Sequence, residues 1–175
     1  MKSATHTSLT RPRPGRAVTA ATIAIAALAL NACGVNTLQE RSKPTMTLDQ
    51  ARKQIDGYQR DILAKLPVTP ASNPTSFDDL ECDANDIGPH GRKQTWRSAD
   101  FDDLPLTRRA EVADAFRTFL TGQGFQSVEP GHGWVKMKNP KDDFVALLDG
   151  TGDAERTFQL TVSSPCLWPD GTPPK

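Results

Sequence analysis

Arg156-Thr157-Phe158-Gln159-Leu160-Thr161-Val162-Ser163 is the stretch that decides the fold. Phe158, Leu160 and Val162 alternate with Thr157, Gln159 and Thr161, the period of two that sends one row of side chains into a core and the other toward water. The same alternation recurs upstream. Residues 144–148 form a second strand candidate, joined to the first by the turn at 150–153. Residues 133–138 form a third, joined through Asn139-Pro140-Lys141-Asp142, and residues 125–128 a shorter fourth. Strands linked by turns this tight pair antiparallel.

Further upstream the period changes to that of a helix. Val112, Ala113, Phe116, Phe119 and Leu120 give a helix over 107–121 one apolar face, and Gly122 and Gly124 end it. A strand over 92–98, centred on Trp96, precedes it; Trp96, Trp134 and Trp168 could line a groove for a lipid or a glycan, and core packing explains Trp96 at least as well. Residues 77–91 are acidic and irregular, carrying Asp78, Asp79, Glu81, Asp83 and Asp86 around Cys82, and read as a solvated face. Their spacing fits no calcium loop. Before them, Leu48, Ala51, Ile55, Tyr58, Ile62 and Leu66 stripe a helix of about five turns. Thr47-Leu48-Asp49-Gln50 at its start has the spacing of a capping box, and Pro67 stops it. The expected fold class is α+β: two helices packed on one face of an antiparallel sheet of about four strands, with one disulfide.

The chain has 175 residues, with 21 basic and 21 acidic side chains that balance overall but not locally. Residues 1–32 hold Lys2, Arg11, Arg13 and Arg16 and no acid, which leaves 33–175 with a net charge of −4. A mildly acidic body lacks the basic stripe a nucleic-acid binder uses to displace counterions. Residues 17–30 are apolar apart from Thr19 and Thr22, a run of 14 and shorter than the ~20 residues needed to span a bilayer. A basic flank, a short apolar run and a small residue at its end are the layout of a secretory signal peptide.

That run closes on Leu30-Asn31-Ala32-Cys33, which resembles the lipobox of bacterial lipoproteins. Leu30, Ala32 and Cys33 match it; Asn31 stands where the family has a small or β-branched residue. The resemblance implies a diacylglyceryl thioether on Cys33, cleavage between Ala32 and Cys33, and attachment to the outer face of the cell membrane. Two acyl chains hold a protein on a bilayer where one does not, at about 0.8 kcal/mol per buried methylene. The expected organisation is a signal peptide at 1–32, a tether at 33–46, one domain at 47–166 and a frayed, Pro-rich tail at 167–175.

With Cys33 lipidated, Cys82 and Cys166 remain as an even pair in an exported chain, and a structural disulfide is expected. Neither has a His or second Cys two to four residues away, so metal binding is disfavoured. The order of lipobox, helix, cysteine, strand, helix and hairpins, closing on Cys166-Leu167-Trp168-Pro169, is similar to that of small mycobacterial-type LppA-like lipoproteins. That resemblance implies membrane attachment and carries no activity over.

Catalytic motifs are absent: no Gly-x-Ser-x-Gly, no His-Glu-x-x-His, no phosphate-cradling glycine loop. No metal or cofactor is expected. Two functions stay open. The first is a non-catalytic binding or interaction module of the envelope, with a protein, glycan or lipid as partner. Its expected recognition surface is His132 and Trp134 in Gly131-His132-Gly133-Trp134. The second is a surface hydrolase working through His90 or His132, which requires a histidine, an acid and a hydroxyl converging in one pocket.

Overall fold

The structure is a computed structural model and describes residues 42–82, 89–101, 104–128, 131, 133–152 and 157–174. The expected signal peptide at 1–32, with Ala32, then Cys33 and most of the expected tether, and Asp83, Asp86 and His132 lie outside the described residues.

Helix α1 spans Leu48–Leu63 and starts as its sequence requires. Thr47 Oγ1 accepts from the Gln50 amide at 3.2 Å, and Gln50 Oε1 accepts from the Thr47 amide at 2.9 Å, so the capping box is complete. Its buried side chains are Leu48, Ala51, Ile55, Gln59 and Ile62. The helix ends at Leu63, four residues before Pro67, and Leu66 is buried just beyond it. Helix α2, Leu106–Gly122, has no side-chain N-cap and buries Arg109, Val112, Ala113, Phe116 and Leu120. Gly122 is itself helical; Gly124 alone supplies the left-handed turn that ends the helix, at φ 87°.

The strands are β1 (Asp78–Glu81), β2 (Lys93–Asp100), β3 (Gln126–Ser127), β4 (Trp134–Lys138), β5 (Val145–Asp149) and β6 (Gln159–Ser163). They form one antiparallel sheet in the order β1-β2-β6-β5-β4-β3. Among the described residues, six strands replace the four or so expected. The strand missed outright is β1, whose residues are all exposed and three of four acidic, so no hydrophobic alternation marks it. Backbone pairing with β2 defines it instead, from Asp78 opposite Trp96 to Glu81 opposite Lys93. Strand β3 has only two residues and exists because β4 pairs with it. After β2, helix α2 carries the chain to the far edge, and β3 to β6 return as a meander.

Both helices pack on the same face of the sheet, α1 over β2 and β6 and α2 against β4. That face contributes Ala99, Val135, Met137, Ala146, Leu148, Leu160 and Val162 to a core completed by Phe116, Phe144 and Phe158. Alternation in β4, β5 and β6 is complete: each runs half-buried, buried, half-buried, buried, half-buried. At about 25 cal/mol per Å² of apolar surface removed from water, this layer supplies the dominant folding force.

Several polar groups on the helix-covered side are paired, although Gln59 Nε2 is buried without a partner. Arg97, on β2, meets Asp56 and Gln59 of α1, and its guanidinium lies 5.4 Å from the Phe77 ring centroid. Buried Arg109 donates to the Leu104 carbonyl at 2.9 Å and the Gly150 carbonyl at 2.8 Å, over the Phe158 ring. Tyr58 on α1 donates to Asp142 Oδ2 at 2.6 Å and accepts from Asn139 Nδ2 at 2.8 Å, fastening the helix to the β4–β5 turn. Burial raises the Tyr58 phenol above its ordinary range, and the adjacent Asp142 raises it further.

Residues 167–174 do not fray. Leu167 and Trp168 are 3 % and 1 % exposed. Leu167 and Lys93 exchange backbone hydrogen bonds at 2.7 and 2.8 Å, extending the sheet's pattern past Cys166. The Thr45 amide donates to Gly171 O at 2.9 Å, Thr45 Oγ1 accepts from the Trp168 amide at 2.9 Å, and the Leu48 amide donates to Pro169 O at 3.2 Å. Gly171 sits at φ 79°, and a Cβ there would meet Thr45 O at 3.0 Å, so this close approach requires glycine. Prolines mark this segment as unable to extend a helix or a central strand; they do not prevent Trp168 from anchoring it. The ordered domain therefore includes Thr45 and Met46, assigned to the tether from sequence, and the supposed tail.

Cys82 and Cys166 are joined, with S–S 2.09 Å and Cα–Cα 6.0 Å. The Cys82 amide donates to Arg92 O at 3.0 Å, so both half-cystines flank the start of β2.

Candidate functional site

With both helices on one side, the opposite face of the sheet is uncovered among the described residues. Strand register assembles it row by row. Lys138, Val145, Ser163 and Trp96 lie in one row, Lys136, Leu147, Thr161 and Ser98 in the next, and Trp134, Asp149, Gln159 and Asp100 in the third. All are half-buried. Trp96, for which both a groove and the core stood open, belongs to this face, because its neighbours Thr95 and Ala99 take the buried positions of β2.

The face has two chemical halves. Over β2 and β6 it is self-satisfied: the Ser98 and Thr161 hydroxyls bond at 2.8 Å, and Gln159 Nε2 donates to Asp100 Oδ1 at 2.6 Å. Over β4 and β5 it forms a groove of about 290 Å³ lined by Val128, Trp134, Lys136, Leu147 and Asp149. A second depression begins at Val128 and is lined by Gln126, Lys138, Pro140 and Asp143, where Lys138 Nζ pairs with Asp143 at 2.8 Å.

The indole of Trp134 is placed by what it rests on. A Cβ added to Gly131 would fall 1.8 Å from Trp134 Cε2 and 2.2 Å from its Nε1, so the ring occupies the space a side chain at 131 would fill. Gly131 and Trp134 also form an isolated β-bridge. The Asp149 carboxylate stands directly across the strand pair from Trp134 and accepts from the Gly150 amide at 2.8 Å. Lys136 follows two residues along β4, opposite Leu147.

Of the residues expected to form a recognition surface, Trp134 lines the groove, and His132 lies outside the described residues. Sequence reasoning missed Val128, Lys136, Leu147 and Asp149. Parity could have found them, since Trp134 and Lys136 share a face of β4, and the turn at 139–142 brings Leu147 and Asp149 opposite them. His90 borders a different depression of about 210 Å³ with Trp168, Asp170 and Thr172, so a histidine, an acid and a hydroxyl do line one depression, but all three are exposed rather than gathered on the floor of a pocket. Among the described residues no three His, Cys, Asp or Glu side chains converge on one point, and no helix is long and apolar enough to cross a membrane. Asp79, from the acidic stretch, pairs with Arg52 of α1 at 2.9 Å.

Comparison with protein-family models, curated proteins and solved structures finds no match for this chain.

Proposed function

We propose that this protein is a non-catalytic binding module of the cell envelope, held to the extracytoplasmic face of the membrane by lipid on Cys33. Ligand meets it at the uncovered sheet face. The observation that carries the reading is the one-sided covering of the sheet among the described residues: six strands, two helices on one face, and an aromatic groove left open on the other. Sheets bury one face for stability; a tryptophan held at the surface of the second is the kind of feature a binding site needs. The Cys82–Cys166 bond supports an oxidising compartment. The basic flank, the apolar run and Leu30-Asn31-Ala32-Cys33 support export and lipidation, in the manner of the LppA-like lipoproteins the chain resembles.

One experiment tests both halves. A photo-crosslinking amino acid is placed at Leu147 on the open face, or at Arg117 on the outer surface of α2, in cells fed labelled palmitate. The expected result is palmitate on the protein, lost in Cys33→Ser, and crosslinked adducts from position 147 only. Unlabelled protein refutes the anchor. Equal adducts from both positions, or none from 147, refute the binding face.

A further inference from the structure

Resting on the reading of the open face as a ligand site, we infer that the groove takes a neutral, hydroxyl-rich sugar ring stacked on the Trp134 indole. The platform comes first. One side of the indole is backed by the Gly131 backbone, which is free of a side chain there, while the ring lines the groove. An aromatic ring fixed in this way loses little conformational entropy on binding. Its electron-rich face attracts the weakly positive C–H groups along one side of a sugar ring.

The flanking charges choose among ligands. Asp149 sits across from Trp134 and Lys136 two residues along, about 7 Å at strand spacing, the span of one six-membered ring with its hydroxyls. An anionic ligand would meet the Asp149 carboxylate, and a cationic one the Lys136 ammonium. An acyl chain would desolvate the Lys136 ammonium without replacing its hydrogen bonds, which is costly. A sugar hydroxyl is donor and acceptor at once, so it can donate to Asp149 and accept from Lys136. Leu147 and Val128 give the ring's apolar edge a dry wall. A volume near 290 Å³ suits one or two sugar units rather than a folded partner.

The test presents full-length protein in detergent to an array of neutral hexose oligosaccharides, their sulfated counterparts, and phosphatidylglycerol vesicles. The expected result is retention on neutral sugars, with affinity falling tenfold or more in Trp134→Ala and in Lys136→Met. The second variant changes a half-exposed side chain and keeps the fold. Retention on sulfated sugars or vesicles alone, no retention on neutral sugars, or binding unchanged in both variants overturns the inference. Adducts at position 147 alongside a blank neutral array would refute the sugar while leaving the binding face standing; failure of both would remove both.

Discussion

Replacing Cys82 and Cys166 together by alanine should cost this domain about 4–5 kcal/mol of stability without altering its native structure. The bridge closes a loop of 84 residues. Chain-entropy arithmetic for that length removes about 15 cal/mol/K from the unfolded ensemble, or about 4.6 kcal/mol at 25 °C. The folded state gives little of this back. Cys82 is hydrogen-bonded through its amide to Arg92, and Leu167 beside Cys166 is paired with Lys93, so both segments stay at the start of β2 without the covalent link. Against a total of about 5–15 kcal/mol for a domain of this size, the loss is large. Urea unfolding of the oxidised protein and the double variant, followed by near-UV and far-UV circular dichroism, measures it. The expected outcome is a lower midpoint, a steeper dependence on urea because the unlinked unfolded chain exposes more surface, and superimposable native spectra. A loss under about 1.5 kcal/mol, or a native spectrum already disturbed before urea is added, would refute the argument that the bond acts through the unfolded chain.

Trp168→Ala should destabilise by about 3–5 kcal/mol, read by thermal unfolding, whereas a frayed segment would give a change near zero. Gly131→Ala should displace the Trp134 ring, shifting tryptophan emission, while stability moves by about 1 kcal/mol or less because the ring is half-exposed. Tyr58→Phe should lose about 1 kcal/mol at neutral pH by breaking the Asp142 and Asn139 contacts. The folded Tyr58 phenol titrates above its unfolded value of 10.0, so its share of stability is full below pH 10 and lost as pH rises through the folded pKa. Urea midpoints of wild type and Tyr58→Phe should therefore converge as pH rises above 10; parallel curves would contradict this.

How much of this was legible in the sequence depended on whether a strand or helix had a face to advertise. Strands β4, β5 and β6 and both helices announce themselves, because Val135, Met137, Leu148, Leu160 and Phe116 sit at the periods their elements demand. The capping box at Thr47 and the Cys82–Cys166 pair were equally readable, being local chemistry in one case and parity of count in the other. Strand β1 was hidden because an edge strand held by backbone bonds alone needs no apolar residue. Two of the tryptophans, Trp96 and Trp168, could not be placed from sequence for a related reason. Trp96 is half-exposed because its parity on β2 is opposite to that of Thr95 and Ala99, and Trp168 is buried by contacts more than a hundred residues away in sequence, such as Thr45. The groove was half visible: Trp134 stood out by composition, whereas Lys136 and Asp149 become partners of the same site only once β4 and β5 are in register.

The seam between Thr45 and Gly171 has a mechanical meaning. A force applied through residues 45 and 171 enters the molecule at hydrogen bonds that join the two ends directly, so the first event under load is the peeling of that seam and the extraction of Trp168. Beyond it, the covalent bridge shields the 84-residue loop from tension, withholding about 280 Å of contour length until the bond is reduced. Pulled from its ends, this domain would yield a short first extension and then resist like a knot drawn tight.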